Sequence, residues 1–70
     1  MNTATTQARR ANLTAREENA FDRLDAMTVG NTTTVGGVVV TRWSLEMFEL
    51  DTHGRSSERI DEAAINIAAR

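Results

Sequence analysis

His53 is the only histidine of the chain, with Asp51 two positions before it and Ser56 and Ser57 shortly after. An imidazole beside a carboxylate is the smallest unit able to move a proton, activate a hydroxyl or begin a metal site. Nothing in the sequence completes that unit. Zinc sites draw on three or four ligands, and the chain contains no cysteine to add to one imidazole and one carboxylate. His53 therefore reads as a turn residue. The carboxylates Glu46 and Glu49 could in principle divide acid and base roles, but a sheet and two helices of this size enclose no pocket around them. Gly36-Gly37 lacks the Gly-x-x-x-x-Gly-Lys-Ser/Thr run of a phosphate loop, and there is no lysine at all. No enzyme activity, metal or cofactor is expected.

Seventy residues, 40% of them hydrophobic, make one domain near the lower limit of what folds without a disulfide, a metal or a partner. Phe21, Trp43 and Phe48 are the only aromatic residues, so each is expected to supply a large share of a thin core. Residues 1 to 12 are polar, rich in Thr and Ala, and without apolar periodicity. They read as a flexible N-terminal arm, with residues 13 to 70 forming a single α+β domain. Arg9-Arg10 within the arm reads as solvated. No apolar stretch approaches a secretory or membrane-spanning length, and a cytoplasmic protein is expected. Two Asn-x-Thr triplets, at Asn12 and Asn31, have no secretory context to give them meaning.

All eight basic residues are arginines. From Thr14 onward six of them face ten acids, a net charge of −4. Such a surface disfavours direct nucleic-acid binding, which relies on a basic patch, and favours a protein partner with a basic surface. The acids group as Glu17, Glu18, Asp22 and Asp25 on one predicted helix, and as Glu46, Glu49 and Asp51 further on. These seven are the candidate partner-binding residues, with a solvated surface as the plain alternative.

The elements that would carry them can be read in order. Thr14-Ala15-Arg16-Glu17 has the form of a capping box, and Ala20, Phe21, Leu24 and Met27 recur at helical spacing, predicting a helix from about Ala15 to Met27 closed by Gly30. Thr32 to Val35 and Val38 to Trp43 are rich in β-branched residues and flank Gly36-Gly37, which suits a two-residue hairpin turn. That turn pairs Val35 with Val38, Thr34 with Val39, and Thr33 with Val40. Met47 to Thr52 alternates with period two and predicts a third strand, ended by His53-Gly54-Arg55. Ser56-Ser57 offers N-caps to a last helix with Ile60, Ala63, Ala64, Ile67 and Ala68 along its apolar stripe. The many alanines there imply close packing. The expected fold class is α+β: helix, three-stranded antiparallel sheet, helix.

Two registers are open for the second hairpin. A three-residue connection places Val40 opposite Leu50 and Arg42 opposite Phe48; a two-residue connection at Leu45-Glu46 places Trp43 opposite Phe48 and Arg42 opposite Glu49. The one-residue shift exchanges the faces of every side chain. Trp43 is expected in the core.

The order helix, three strands, helix also describes the double-stranded-RNA-binding domain. Here, however, the start of the last helix reads Ser57-Glu58-Arg59-Ile60-Asp61-Glu62, whose three acids would repel a phosphate backbone. In size, acidity and layout the chain resembles small phage-encoded anti-CRISPR proteins, inhibitors of type I effector complexes. That resemblance implies a non-enzymatic inhibitor, monomeric or homodimeric, that docks its acidic surface on a basic DNA-guiding subunit of the effector complex (Cascade) and blocks target-DNA binding. The layout is also similar to small head-to-tail joining proteins of phage assembly, which place a β-hairpin between two helices; an antitoxin-like binding module is a third reading, for which co-purification with a basic toxin would be the sign.

Overall fold

A computed structural model describes residues 10–70. Helix α1 spans Ala15–Asp25, strands β1 to β4 span Thr32–Val35, Val38–Arg42, Met47–Asp51 and Arg55–Arg59, and helix α2 spans Ile60–Ala68. The strands form one antiparallel sheet in the order β1-β2-β3-β4, a simple meander framed by the two helices in sequence. Of the expected arm, residues 1–9 lie outside the described residues. Arg10 and Ala11 are helical.

Thr14 caps α1 as its sequence implies. The Thr14 hydroxyl accepts from the Glu17 N–H at 3.3 Å, and the Glu17 carboxylate accepts from the Thr14 N–H at 2.9 Å, so two of the otherwise orphaned N-terminal donors are satisfied. Phe21 and Leu24, with Ala20, form the buried stripe. The helix ends at Asp25 with Ala26 as a right-handed C-cap, two residues short of the expected Met27. Gly30 does not cap it. Its φ of +92° serves a bulge at the start of the sheet: the Gly30 N–H donates to the Arg42 carbonyl at 2.7 Å, while the Arg42 N–H donates to the Asn31 carbonyl at 3.0 Å. Two residues thus oppose one, a geometry that takes glycine at its first position.

The first hairpin has the expected register, Val35 with Val38, Thr34 with Val39 and Thr33 with Val40. Gly36 and Gly37 sit at φ +57° and +82°, the pair of positive angles that a primed turn needs. In the second hairpin Val40 pairs with Leu50 and Arg42 with Phe48, so the first of the two open registers is adopted. Val35, Val38, Val40, Phe48 and Leu50 consequently share one face, and both helices pack on it to give a single cluster with Phe21, Leu24, Ile60, Ala63 and Ala64.

Two expectations are corrected. The sheet has four strands, because Arg55–Arg59 pairs along β3, with Leu50 opposite Ser56 and Phe48 opposite Glu58. Ser56 and Ser57 are therefore strand residues, and α2 starts at Ile60, its first turn held by the Glu62 carboxylate accepting from the Arg59 N–H at 3.0 Å. Secondly, Trp43 is outside the core. It is 61% exposed, whereas Arg42 is only 5% exposed, since the adopted register turns position 42 inward and position 43 outward.

Candidate functional site: the open face of the sheet

With both helices on one side, the opposite face of the sheet carries no second layer among the described residues. The described chain measures 31 × 24 × 16 Å, and its short dimension accommodates one helix layer on one sheet. Alternation along the strands places Thr32 and Thr34, Val39 and Thr41, Glu49 and Asp51, and Arg55, Ser57 and Arg59 on this open face. Trp43 follows Thr41 onto the same side, its N–H bonded to the Met47 carbonyl at 2.9 Å.

Trp43 is held there. Its indole Nε1–H donates to Glu49 Oε1 at 3.2 Å, and Glu49 Oε2 lies 3.6 Å from Arg55 Nε. Indole, carboxylate and guanidinium form a chain across β2, β3 and β4. Beside it Thr32 and Thr41 hydroxyls meet at 2.7 Å across β1 and β2. Val39, 44% exposed, supplies a second apolar surface. The face thus combines a fixed aromatic ring, a hydroxyl row and mixed charge.

What fixes Trp43 on the outside is Arg42 on the inside. The Arg42 guanidinium donates to four carbonyls, those of Asp25 at 3.0 Å, Met27 at 2.6 Å, Ser44 at 3.2 Å and Leu45 at 2.7 Å. Asp25 Oδ1 lies 3.6 Å from Nη2. A cation set against the C-terminal carbonyls of α1 complements the helix dipole, and the same group pins the β2–β3 connection. The five N–H donors of guanidinium make such a junction possible where lysine would not.

The seven acids singled out in the sequence do not form one surface. Glu49 and Asp51 lie on the open face, whereas Glu17, Glu18, Asp22 and Asp25 belong to α1 on the other side of the sheet. Glu46 is half-buried in the β2–β3 connection, where its carbonyl accepts from the Ile60 N–H at 2.8 Å. Several are engaged within the chain. Arg10 makes a two-pronged contact with Asp22, at 2.8 and 3.0 Å, and lies 3.7 Å from Glu18. That hydrogen bond holds the Asp22 carboxyl below the usual aspartate range and raises the Arg10 guanidinium. Glu17 is the capping carboxylate, and Asp25 and Glu49 each face an arginine.

Helical geometry also separates the charges of α1 that alternate in sequence. Glu18, Asp22 and Asp25 fall on one flank and Arg16 and Arg23 on the other. The basic flank borders a shallow cavity of about 230 Å³ lined by Arg16, Asn19, Arg23, Val35, Gly36 and Ile67.

His53 is exposed in the β3–β4 turn, which is closed by the Thr52 N–H donating to the Gly54 carbonyl at 3.1 Å. Ser56 Oγ lies 3.0 Å from Glu58 Oε2, which also accepts from Asn66 Nδ2 at 2.9 Å. Ser56 is thus tied to α2 through a carboxylate. Among the described residues no group of three or more His, Cys, Asp or Glu is arranged to hold a metal ion, and no helix is long and apolar enough to cross a membrane.

The residue that sequence reasoning misplaced is Trp43, just past the end of β2 on this face. The signal that could have found it is the chain Thr33, Val35, Val38, Val40, Phe48, Leu50. Keeping the apolar members of that chain, Val35, Val38, Val40, Phe48 and Leu50, on one face requires the register that expels Trp43. No family model, no curated protein and no solved structure matches the chain, so the functional reading rests on this geometry.

Proposed function

We propose that the protein is a non-catalytic binding module that engages another protein through the open face of its sheet, with Trp43 as the anchor. The observation that carries the reading is a large aromatic side chain that is 61% exposed yet oriented by its bond to Glu49. An aromatic ring held in place loses little side-chain entropy on binding and buries a large area, which is why such residues dominate contact energetics. On this face Glu49 and Asp51 are matched by Arg55 and Arg59, so the preference for a partner with a basic rim rests on the net acidity of the folded part.

In its specific form the proposal is an inhibitor of the anti-CRISPR kind, in which this face covers a basic DNA-guiding surface of a type I effector complex. Target-DNA binding by a purified effector complex is measured with and without saturating protein. The expected result is loss of DNA binding by wild type, and a protein with Trp43→Ala that is folded but at least about tenfold weaker, the scale of an anchor truncation. Unchanged DNA binding and cleavage across complexes of this type would remove the specific form. Capture of a partner with equal strength by the Trp43→Ala protein would remove the anchor.

A further inference from the structure

The sheet has two free edges, β1 and β4, and they differ in kind. The Arg42 N–H bonds to the Asn31 carbonyl, and antiparallel ladders alternate strictly in which residues bond across. Thr33 and Val35 therefore bond to β2, while Thr32 and Thr34 direct their N–H and C=O groups away from the sheet. No backbone hydrogen bond outside the ladder involves either residue among the described residues. All three threonines are exposed. Thr32-Thr33-Thr34-Val35 has no charge, no proline and strong β propensity, so neither charge nor proline, two of the devices that protect an edge, is present on it.

β4 is protected. The Ile60 N–H bonds to the Glu46 carbonyl, which by the same alternation turns the backbone groups of Arg55, Ser57 and Arg59 outward. A copy of β4 added about a two-fold axis at Ser57 would set Arg55 opposite Arg59 of the copy, a like-charge pair that opposes association.

We propose that β1 is a self-pairing edge, whose occupant is β1 of a second copy of this chain. A two-fold axis through Thr33 pairs Thr32 of one copy with Thr34 of the other, and conversely. These are the residues whose N–H and C=O groups point outward, so each pair can exchange both backbone bonds. Thr33 then faces Thr33 across the axis, with no charge opposed. The two sheets join into one continuous sheet, and the open faces carrying Trp43 lie side by side on it. A two-fold contact needs a self-complementary surface, and this uncharged threonine strand is one where β4 is not.

Sedimentation equilibrium on the full chain over a range of concentrations tests the proposal. Wild type is expected to show a reversible monomer–dimer equilibrium. Thr34→Pro removes an N–H that the monomer's own ladder does not use, a position where an edge strand tolerates proline, and is expected to sediment as a monomer with native circular dichroism. Thr33→Arg sets arginine against arginine at the axis without altering the backbone. It is expected to raise the dimer dissociation constant at least about tenfold, and it carries the test if the proline variant unfolds. A wild-type protein that stays monomeric at the highest concentration overturns the proposal, and so does a dimer that survives Thr33→Arg.

Discussion

The guanidinium of Arg42 lies over the ring of Phe48, 5.2 Å from its centroid, in a cross-strand pair on the buried face of the sheet. Cation and ring attract one another there away from solvent, while four carbonyls take up the guanidinium N–H groups. The charge is therefore buried at a junction of α1, β2 and the β2–β3 connection. Removing it by Arg42→Met strands those carbonyls, and the expected loss is about 3–5 kcal/mol. Small domains have roughly 5–15 kcal/mol in total, so the variant should lose a large share of its stability. Urea titration followed by far-ultraviolet circular dichroism measures this. Arg42→Lys should recover only part of the loss, because an ammonium cannot reach all four acceptors.

The same pair explains what sequence could and could not reveal. The capping box at Thr14, the glycine turn and the first hairpin register depend on contacts between residues close in sequence, and all three are legible. The second register depends on what lies behind the sheet. A buried tryptophan and a surface arginine are the ordinary arrangement, and it is reversed here because the C-terminal carbonyls of α1 need a donor at position 42. β4 was hidden for a related reason. Arg55-Ser56-Ser57-Glu58-Arg59 has no apolar alternation, since its inward residues Ser56 and Glu58 meet polar groups of α2 and its outward ones meet water. On α1 the spacing of the acids does not show that Arg10, distant in sequence, reaches Glu18 and Asp22.

Gly36 and Gly37 share a turn but not its constraints. A Cβ on Gly36 would sit 2.7 Å from Ile67 Cγ2, whereas one on Gly37 meets nothing within 4 Å. Both substitutions to alanine incur the cost of a positive φ, about 1–2 kcal/mol. Gly36→Ala should cost roughly 1 kcal/mol or more beyond that for displacing Ile67. Thermal unfolding of the two variants in parallel should rank Gly36→Ala clearly lower; equal melting temperatures would show that α2 moves aside freely.

Ala64 is fully buried on the helix that packs against both α1 and the sheet. Ala64→Leu adds three carbon atoms where there is no space, and the expected destabilisation is about 1–3 kcal/mol. Ala69→Leu, past the end of α2 and exposed, should change stability by less than about 0.5 kcal/mol. Chemical denaturation of both variants separates overpacking from a general intolerance of leucine in this region.

The contact between Arg10 and Asp22 gives stability a dependence on acid. Its hydrogen bond holds the Asp22 carboxyl below its ordinary value. A carboxylate depressed in the folded state contributes stability that is complete above the unfolded aspartate range and is lost as pH falls through the depressed folded value. The contribution should therefore be present at neutral pH and disappear under strongly acidic conditions. Carboxyl-carbon NMR should show Asp22 titrating below the ordinary aspartate range, and Arg10→Gln should bring it back toward that range. A pair this exposed contributes little to global stability, so the titration shift is the informative measurement. An Asp22 that titrates in the ordinary aspartate range would mean that Arg10 does not hold it in solution.

Trp43 is the only tryptophan, and its fluorescence reports the open face directly. With 61% of its surface exposed, its emission should be close to that of indole in water and efficiently quenched by acrylamide. Glu49→Gln retains an acceptor for the indole N–H, whereas Glu49→Ala removes it, so fluorescence anisotropy should fall only in the alanine variant as the ring gains freedom. Trp43→Ala should leave stability within about 0.5 kcal/mol of wild type, as expected for a surface residue outside the core. A blue-shifted, poorly quenched emission at low protein concentration would place the ring in the core. Pairing through β1 sets the two open faces side by side and leaves both rings uncovered, so the emission should not change as protein concentration rises.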